Sequence, residues 1–456
     1  MNDFPLLSRS TILFTALATS LGCVAALDDA SISNDELNQF GDDDGDNGGP
    51  GGPAGPGGPD GPGGPGGPGG PGGPGGPGAP QPPGPEEVPQ LINQLRNRIA
   101  QNNIQPTPPA PPVRPALVQL GEALAFDKIL SGNNDISCMT CHHPNVGSDD
   151  DRHLPLGVGG TGLGSDRTGG EIIPRNAPAL FNLHAFPTMF WDNRVERLPG
   201  GQLRTPAGPQ LTPQMVAVFE FGVVSAQAMF PVTSREEMRG FPGESELGDL
   251  ADNDFQGIWS GLMMRLGAVP AYVAMFEAAY PGTAFEDMTF AHAANAIAGF
   301  EIASFAAVDS PWEQFLLGDD SALSPLQLRG ANDYFQAGCE RCHRGAIGSD
   351  FRTHNTALAQ FGPGKGDGPL AVDDFGREQV IGNPGQRYRF RTTPLVNVEL
   401  TGPYGHTGQF ADLRAFIAHY NNPAQNLRNY DITMHVAETE LHAMQLDNTE
   451  DVIARL

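Results

Sequence analysis

The stretch Ile136-Ser137-Cys138-Met139-Thr140-Cys141-His142 decides the reading of this chain, because its C-x-x-C-H pattern returns as Cys339-Glu340-Arg341-Cys342-His343. Two thiols at this spacing form thioether bonds to the vinyl groups of one haem, and the histidine that follows reaches its iron as proximal ligand. Two copies predict two covalently bound c-type haems, one on Cys138, Cys141 and His142, the other on Cys339, Cys342 and His343. A redox dithiol or half a zinc site also uses C-x-x-C. Neither calls for a histidine directly after both pairs.

Around these motifs the apolar spacing is helical. Leu117, Leu120, Leu124 and Ile129 predict a helix over 116–130 that leads into the first motif. Further helices are expected over 88–104, 289–308, 324–337 and 412–420, the third of these leading into the second motif, and strand signals are few. The Gly/Asp-rich run between His142 and Arg175 reads as a loop over the haem edge. The expected fold is mainly α, with cores completed by haem.

The N-terminal part has a different composition. Residues 11–26 are apolar or small, too short to span a bilayer comfortably, and follow the single basic residue Arg9, so 1–26 reads as an export signal. Cys23 follows Ser20-Leu21-Gly22, which resembles a lipoprotein processing site, while Val24-Ala25-Ala26 offers ordinary cleavage. Membrane attachment through Cys23 and simple release therefore stand side by side. Either puts the mature chain in the periplasm or otherwise outside the cytoplasm. Residues 27–85 are acidic and then Gly/Pro-rich. A collagen-like pattern is formally allowed there, but its third triplet position is mostly glycine, and a disordered, partly polyproline spacer is the better reading.

Composition narrows the partners. Among 456 residues, Asp+Glu 53 against Lys+Arg 26 gives a formal charge of −27, which disfavours nucleic acid and anionic membranes and suits either a basic redox partner or solubility alone. Four of the five cysteines are committed to the motifs and the fifth is Cys23, leaving no disulfide.

In order, L-G-E-A-L-A-F-D-K-I-L-S (Leu120 to Ser131), the first motif, R-N-A-P (Arg175 to Pro178), F-W-D-N-R (Phe190 to Arg194), F-E (Phe300, Glu301), the second motif and T-G-P-Y-G-H-T-G (Thr401 to Gly408) follow one another. This order resembles the bacterial di-haem cytochrome c peroxidases and the related MauG-type enzymes, from about 116 to 420. The resemblance implies two cytochrome c-like domains, a peroxidatic one over 86–318 and an electron-transfer one over 319–456. It also implies reduction of hydrogen peroxide to water with electrons from a small redox protein, a cytochrome c or a copper protein. In MauG-type enzymes the oxidising power of peroxide modifies a protein substrate instead. A non-catalytic di-haem electron carrier is a third reading, and it requires both irons to be six-coordinate.

Site residues follow from the same resemblance. Gln227 and Glu237 keep the ten-residue spacing of the pair that lines the open face of the first haem, and Glu237-Met238 matches the family pair; surface or capping roles are the alternative. Trp191 falls between the haems, or else serves as a core aromatic. Asn176, Thr401 and Pro403 match the residues that hold an interdomain calcium, a hard cation suited to oxygen donors. Nineteen residues beyond Thr401, where peroxidases of the family carry a methionine ligand to the second haem, stands Tyr420, as in MauG-type enzymes. The alternative is a packing tyrosine with Met434 or Met444 as ligand. A histidine ligand from the loop before R-N-A-P is missing near Thr168, which favours an open first haem. His153 on a mobile loop is the alternative; the loop's other histidine, His143, adjoins the proximal one. The helix expected to close the family fold is not seen before Leu456.

Overall fold

Proline has a preset φ and no amide to satisfy, so it opens helices at low cost, and this chain uses it repeatedly. It stands in the first turn of α1 (Val88–Gln101) and α2 (Pro115–Phe126). After α3 (Phe255–Gly267) it does so again in α4 (Pro270–Ala279) and, following α5 (Phe290–Ser304), in α6 (Pro325–Gln336). Helix α7 (Leu413–His419) follows the second motif. The computed structural model describes residues 81–456, and those from Pro82 onward pack as one unit. The expected export signal, Cys23 and all but the last few residues of the expected spacer lie outside the described residues.

Helix α5 is apolar on every side, from Phe290 and Ala291 round to Phe300 and Ile302, and a helix of that kind belongs in the middle of a core. Helix α2 lies directly on it. The backbones approach so closely at Gly121 that a Cβ there would sit 1.9 Å from the Ala296 carbonyl oxygen, so only glycine fits. Leu117, Leu120 and Leu124 of α2 are fully buried in the same core, which also takes in Ile136 and Met139 of the first motif. Helices α3 and α4 meet at a 107° bend and bury Ile258, Trp259, Leu262 and Phe276. The Tyr272 hydroxyl donates to Asp127 at 2.7 Å, pinning α4 to the end of α2. Among the described residues no single helix is long and apolar enough to cross a membrane.

The region of the second motif is built differently. Helix α6, capped by reciprocal bonds between Ser324 and Gln327, packs against α1. Asn332 Nδ2 donates to the Leu91 carbonyl (3.1 Å), and Arg96 donates twice to Asp320 (3.0 and 2.7 Å). Helix α1, which lies in the first of the two expected domain segments, thus packs on the helix preceding the second motif. Elsewhere the described residues of this region form small apolar clusters, Leu154, Phe361, Ile432, Val436 and Leu441 in one, and Ala357, Ala359, Tyr388, Leu427 and Val452 in another. The last of these belongs to a short helix, Thr449–Ile453.

Two short sheets complete the frame. Strands β1 (Thr188–Met189), β2 (Val195–Arg197) and β3 (Leu203–Arg204) are antiparallel, with Thr188 opposite Glu196 and Glu196 opposite Arg204. Strands β4 (Thr353–His354) and β5 (Phe390–Arg391) pair likewise, His354 opposite Phe390. The turn from β1 to β2 carries Phe190 to Arg194. Strand β5 crosses its tip, where the Arg391 amide donates to the Trp191 carbonyl at 2.6 Å.

Candidate active site

Each C-x-x-C-H segment forms one tight turn. Ser137 caps the first, its amide donating to Thr140 Oγ1 (3.1 Å), and the His142 amide donates back to the Cys138 carbonyl at 3.1 Å. In the second, Gly338 takes up φ +78° and the His343 amide donates to the Cys339 carbonyl at 2.9 Å. In each case the histidine Nδ1 meets a carbonyl oxygen just downstream, Ser148 at 3.2 Å and Gly348 at 3.0 Å. A bond of this kind places the proton on Nδ1 and leaves the Nε2 lone pair for a metal. Burial pushes both imidazoles below their ordinary pKa, so they are neutral, as an iron ligand must be. Burial also pushes the Cys138 thiol up to about 12, away from the reactive thiolate of a redox pair. This donor set fits two c-type haems. Among the described residues, one group of metal-type donors, Cys342, Asp350 and His354, converges within 4.8 Å. Its thiol is the one the second motif commits to haem.

His142 stands on the wall of a cavity enclosing about 1280 Å³ of empty space, part of it open to solvent. Gln227, Glu237, Trp191 and Asn176 line the same cavity. Gln227 ends the short helix Val223–Gln227, and Glu237 lies in the π-helical turn Arg235–Arg239, a geometry often found at functional sites. That turn is held from behind, for the Val158 amide donates to the Glu236 carbonyl (3.0 Å) and the Gly132 amide to the Met238 carbonyl (2.7 Å). A Cβ on Gly157 would come within 1.8 Å of the Glu236 oxygen. Burial raises the Glu237 pKa, while the charges of Arg194 and Lys365 restrain the rise. The Trp191 indole donates to the Asn176 carbonyl (2.9 Å), and the Asn176 amide donates to the His406 carbonyl (2.9 Å). Thr401 donates its hydroxyl to the Val398 carbonyl at 3.2 Å.

His153 does not reach this cavity. It is buried, its Nδ1 bonded to the Gly408 carbonyl and its Nε2 3.7 Å from Glu438. His142 is the one histidine among the described residues of the lining. Further charged groups line the cavity, Glu301 and Arg175 from the quoted F-E and R-N-A-P segments and two more from outside any motif. Glu301, on α5, has a buried oxygen without a hydrogen-bond partner, and burial pushes its pKa up to about 8. Lys365 and Arg391 arrive from far along the chain, and no local pattern marks them. Arg175 is locked by Asp192 (2.6 Å) and by two bonds to Asp374 (2.7 and 2.8 Å).

Near the second motif, Tyr420 caps the end of α7. It is 44 % exposed by area, yet burial of its hydroxyl, followed by the Cys342 and Cys339 sulfurs, raises its pKa, while a hydrogen bond with Thr356 opposes the rise. Both observations hold for a side chain whose hydroxyl end is buried while the rest of it is partly exposed. Of the alternative ligands, Met434 is 53 % exposed and Met444 packs on the cluster of Leu154 and Phe361. A separate cavity of about 840 Å³ flanks His343 between Trp312, Tyr334, Phe335 and Val396, and it includes neither Tyr420 nor the cysteines.

Residues 115–321 match the family model described as di-haem cytochrome c peroxidase. The chain is similar to cytochrome c551 peroxidase of Pseudomonas aeruginosa, 31 % identical over 306 residues that cover 67 % of this chain and 71 % of that protein. The chain belongs to the di-haem cytochrome c peroxidase and MauG family. It is therefore an oxidoreductase of the di-haem peroxidase type, and its two C-x-x-C-H turns equal the number of haems that define the family. It is also similar to methylamine utilization protein MauG of Methylorubrum extorquens, 29 % identical over 328 residues, 72 % of this chain and 74 % of that protein. A solved MauG-like protein associated with microbial copper homeostasis aligns with TM-score 0.50 and 26 % identity, over 69 % of this chain and 79 % of the other. The diheme peroxidase BthA of Burkholderia thailandensis, with TM-score 0.51 and 17 % identity over 75 % of this chain and 78 % of its own, shares the fold.

Proposed function

We propose that this protein is an exported di-haem peroxidase that reduces hydrogen peroxide to water with two electrons from an external redox protein, at the cavity around His142. The observation that carries the reading is the convergence of His142, Gln227, Glu237 and Trp191 on one cavity whose lining holds no second histidine among the described residues. Haem bound at Cys138, Cys141 and His142 supplies an iron centre that accepts peroxide and takes up its oxidising equivalents. Glu237 takes the proton from the near oxygen of peroxide and returns it to the departing one, leaving as water. Gln227 orients the substrate through its amide. Trp191, tied to Asn176 by its indole, holds the ground between the two haem sites and relays electrons. The two protons that the second water requires enter from solvent through the open part of the cavity, matching the two electrons from the donor.

The two halves divide near 318/319, with α1 carried over to the second. Asn176, Thr401 and Pro403 are proposed as calcium ligands at the junction, so a chelator should slow electron transfer between haems and added calcium should restore it. A −27 chain suits a basic donor, a c-type cytochrome or a copper protein. Residues 1–26 direct export to the periplasm, with Cys23 the only point proposed for lipid attachment.

Tyr420 favours a second reading, a MauG-type enzyme that uses peroxide to oxidise a protein side chain. It stands nineteen residues beyond Thr401, the place that MauG-type enzymes fill with tyrosine, and a phenolate ligand favours ferric iron and poor acceptance of electrons from a high-potential donor. Steady-state assays separate the two readings. Peroxide-dependent oxidation of reduced cytochrome c or a reduced copper protein supports the peroxidase; inertness toward such donors, with peroxide still consumed at the haems, supports the MauG type.

A further inference from the structure

Four cationic side chains line the His142 cavity, Arg175, Arg194, Lys365 and Arg391. Two carboxylates answer the first pair. Asp192 and Asp374 hold Arg175, and Asp192 also meets Arg194 at 3.2 Å. Among the described residues, Lys365 and Arg391 make no ion pair. Arg391 is buried, donates Nε to the Phe190 carbonyl (3.0 Å), and keeps a buried Nη1 without a partner. Burial lowers its pKa to about 10, and burial together with Arg194 and Arg175 lowers that of Lys365. Arg391 is withdrawn from water without a counter-ion, which is costly, and half-buried Lys365 likewise has no ion-pair partner among the described residues, so the site as folded is short of negative charge. Burial pushes the Glu301 pKa up to about 8, and among the described residues neither it nor Glu237 makes an ion pair with Lys365 or Arg391.

Both cations come from the second half of the chain and both are placed by backbone. Lys365 lies on a turned loop in which its amide donates to the Asp373 carbonyl (3.0 Å) and the Asp373 amide to the Asp367 carbonyl (3.0 Å). Gly364, at φ +69°, leaves no room for a side chain against the Val372 carbonyl. Arg391 is fixed on β5 by the Trp191 carbonyl.

We propose that Lys365 and Arg391 form a two-point clamp for the paired carboxylates on the propionate edge of the haem held by His142, so that the C-terminal half completes the N-terminal haem site. This rests on the reading that a haem occupies the His142 cavity. Two cations without ion pairs among the described residues meet two carboxylates. Lys365 and Arg391 are positioning residues, and their charge acts on the ferric/ferrous balance of that haem.

The test uses holoprotein, comparing wild type with K365M, K365R and R391M by haem count, spectroelectrochemical titration and resonance Raman bands of the propionates. Removing either cation should shift the equilibrium of the ligand-binding haem about tenfold toward the ferric form, the scale of one unit charge at roughly 10 Å in a protein of effective dielectric near 20. The propionate bands should move, the second haem should not, and K365R should restore both readouts. A K365M chain with one haem, returning to two in K365R, also supports the clamp; one haem in both overturns it. Two haems with unmoved potentials and propionate bands in K365M and R391M overturn the clamp and leave the peroxidase reading intact. A shifted pH profile with unmoved propionate bands overturns it too, by pairing Lys365 with Glu237. Wild type with no haem at Cys138 and Cys141 overturns both proposals at once.

Discussion

Replacing Glu237 by glutamine keeps the size of the side chain and its place on the π-helical turn, and removes only its ability to take and return a proton. A positioned acid/base contributes roughly 10²-fold or more to rate, so Glu237→Gln should slow the reaction with peroxide by at least about that factor, or about 2.7 kcal/mol of barrier. The structure also sets the pH dependence. The shuttle must begin as carboxylate, and burial raises the Glu237 pKa above the ordinary glutamate range, which is near 4.3. The bimolecular rate should therefore fall as pH drops, with its acid limb above that range, and the limb should vanish in Glu237→Gln. Gly157→Ala is the companion variant, since its Cβ would press within 1.8 Å of the Glu236 carbonyl and move the turn. Displacements of about 1 Å can cost about 10²-fold. Single-turnover stopped-flow mixing with peroxide, on chains shown to carry two haems, gives the rates. Unchanged rates and an unchanged acid limb in Glu237→Gln would refute the proton-shuttle role.

Trp191→Phe should leave the first reaction with peroxide nearly intact and slow electron transfer between haems; equal slowing of both steps in rapid-mixing spectra would assign the indole to packing. Tyr420→Met should raise the reduction potential of one haem, and Tyr420→Phe should open its sixth site to added imidazole. A wild-type spectrum with methionine-to-iron absorption, unaltered in Tyr420→Phe, would remove the tyrosine from the iron. Asp374→Asn leaves buried Arg175 with one carboxylate and should destabilise the fold by about 3–5 kcal/mol, seen as a lower urea midpoint; a loss under about 1 kcal/mol would mean the ion pair hardly matters. Burial opposes ionisation of Asp192 and Asp374, but Arg175 holds both below the ordinary carboxylate pKa. Their stabilisation is thus complete above the unfolded value, near 3.9, and is lost as pH falls through the folded values.

What the sequence reveals and what it conceals divide along a physical line. The helices expected over 116–130, 324–337 and 412–420 are present with ends shifted by a few residues, because proline, capping residues and apolar spacing are local signals. The C-x-x-C-H turns are equally local. Gln227 and Glu237 were placed by resemblance, and their meeting across one cavity depends on the close approach of Gly157 and Gly132 to the Glu237 turn. Lys365 and Arg391 carry no such mark. Their cavity-facing positions depend on a loop and a strand that reach the first motif from the second half, and long-range packing of that kind leaves no period in the sequence. Helix α1 teaches the same lesson, since its amphipathic pattern foretells a helix and says nothing about its partner, α6.

The most direct test of the central claim is the spectral response of the oxidised holoprotein to one equivalent of hydrogen peroxide per chain, followed by stopped-flow absorption. The account predicts a rapid change, first order in peroxide, with the Soret amplitude of initial attack belonging to one haem of the two and greatly slowed in Glu237→Gln. No reaction with both haems in place would contradict it, and so would attack at both haems with equal rates.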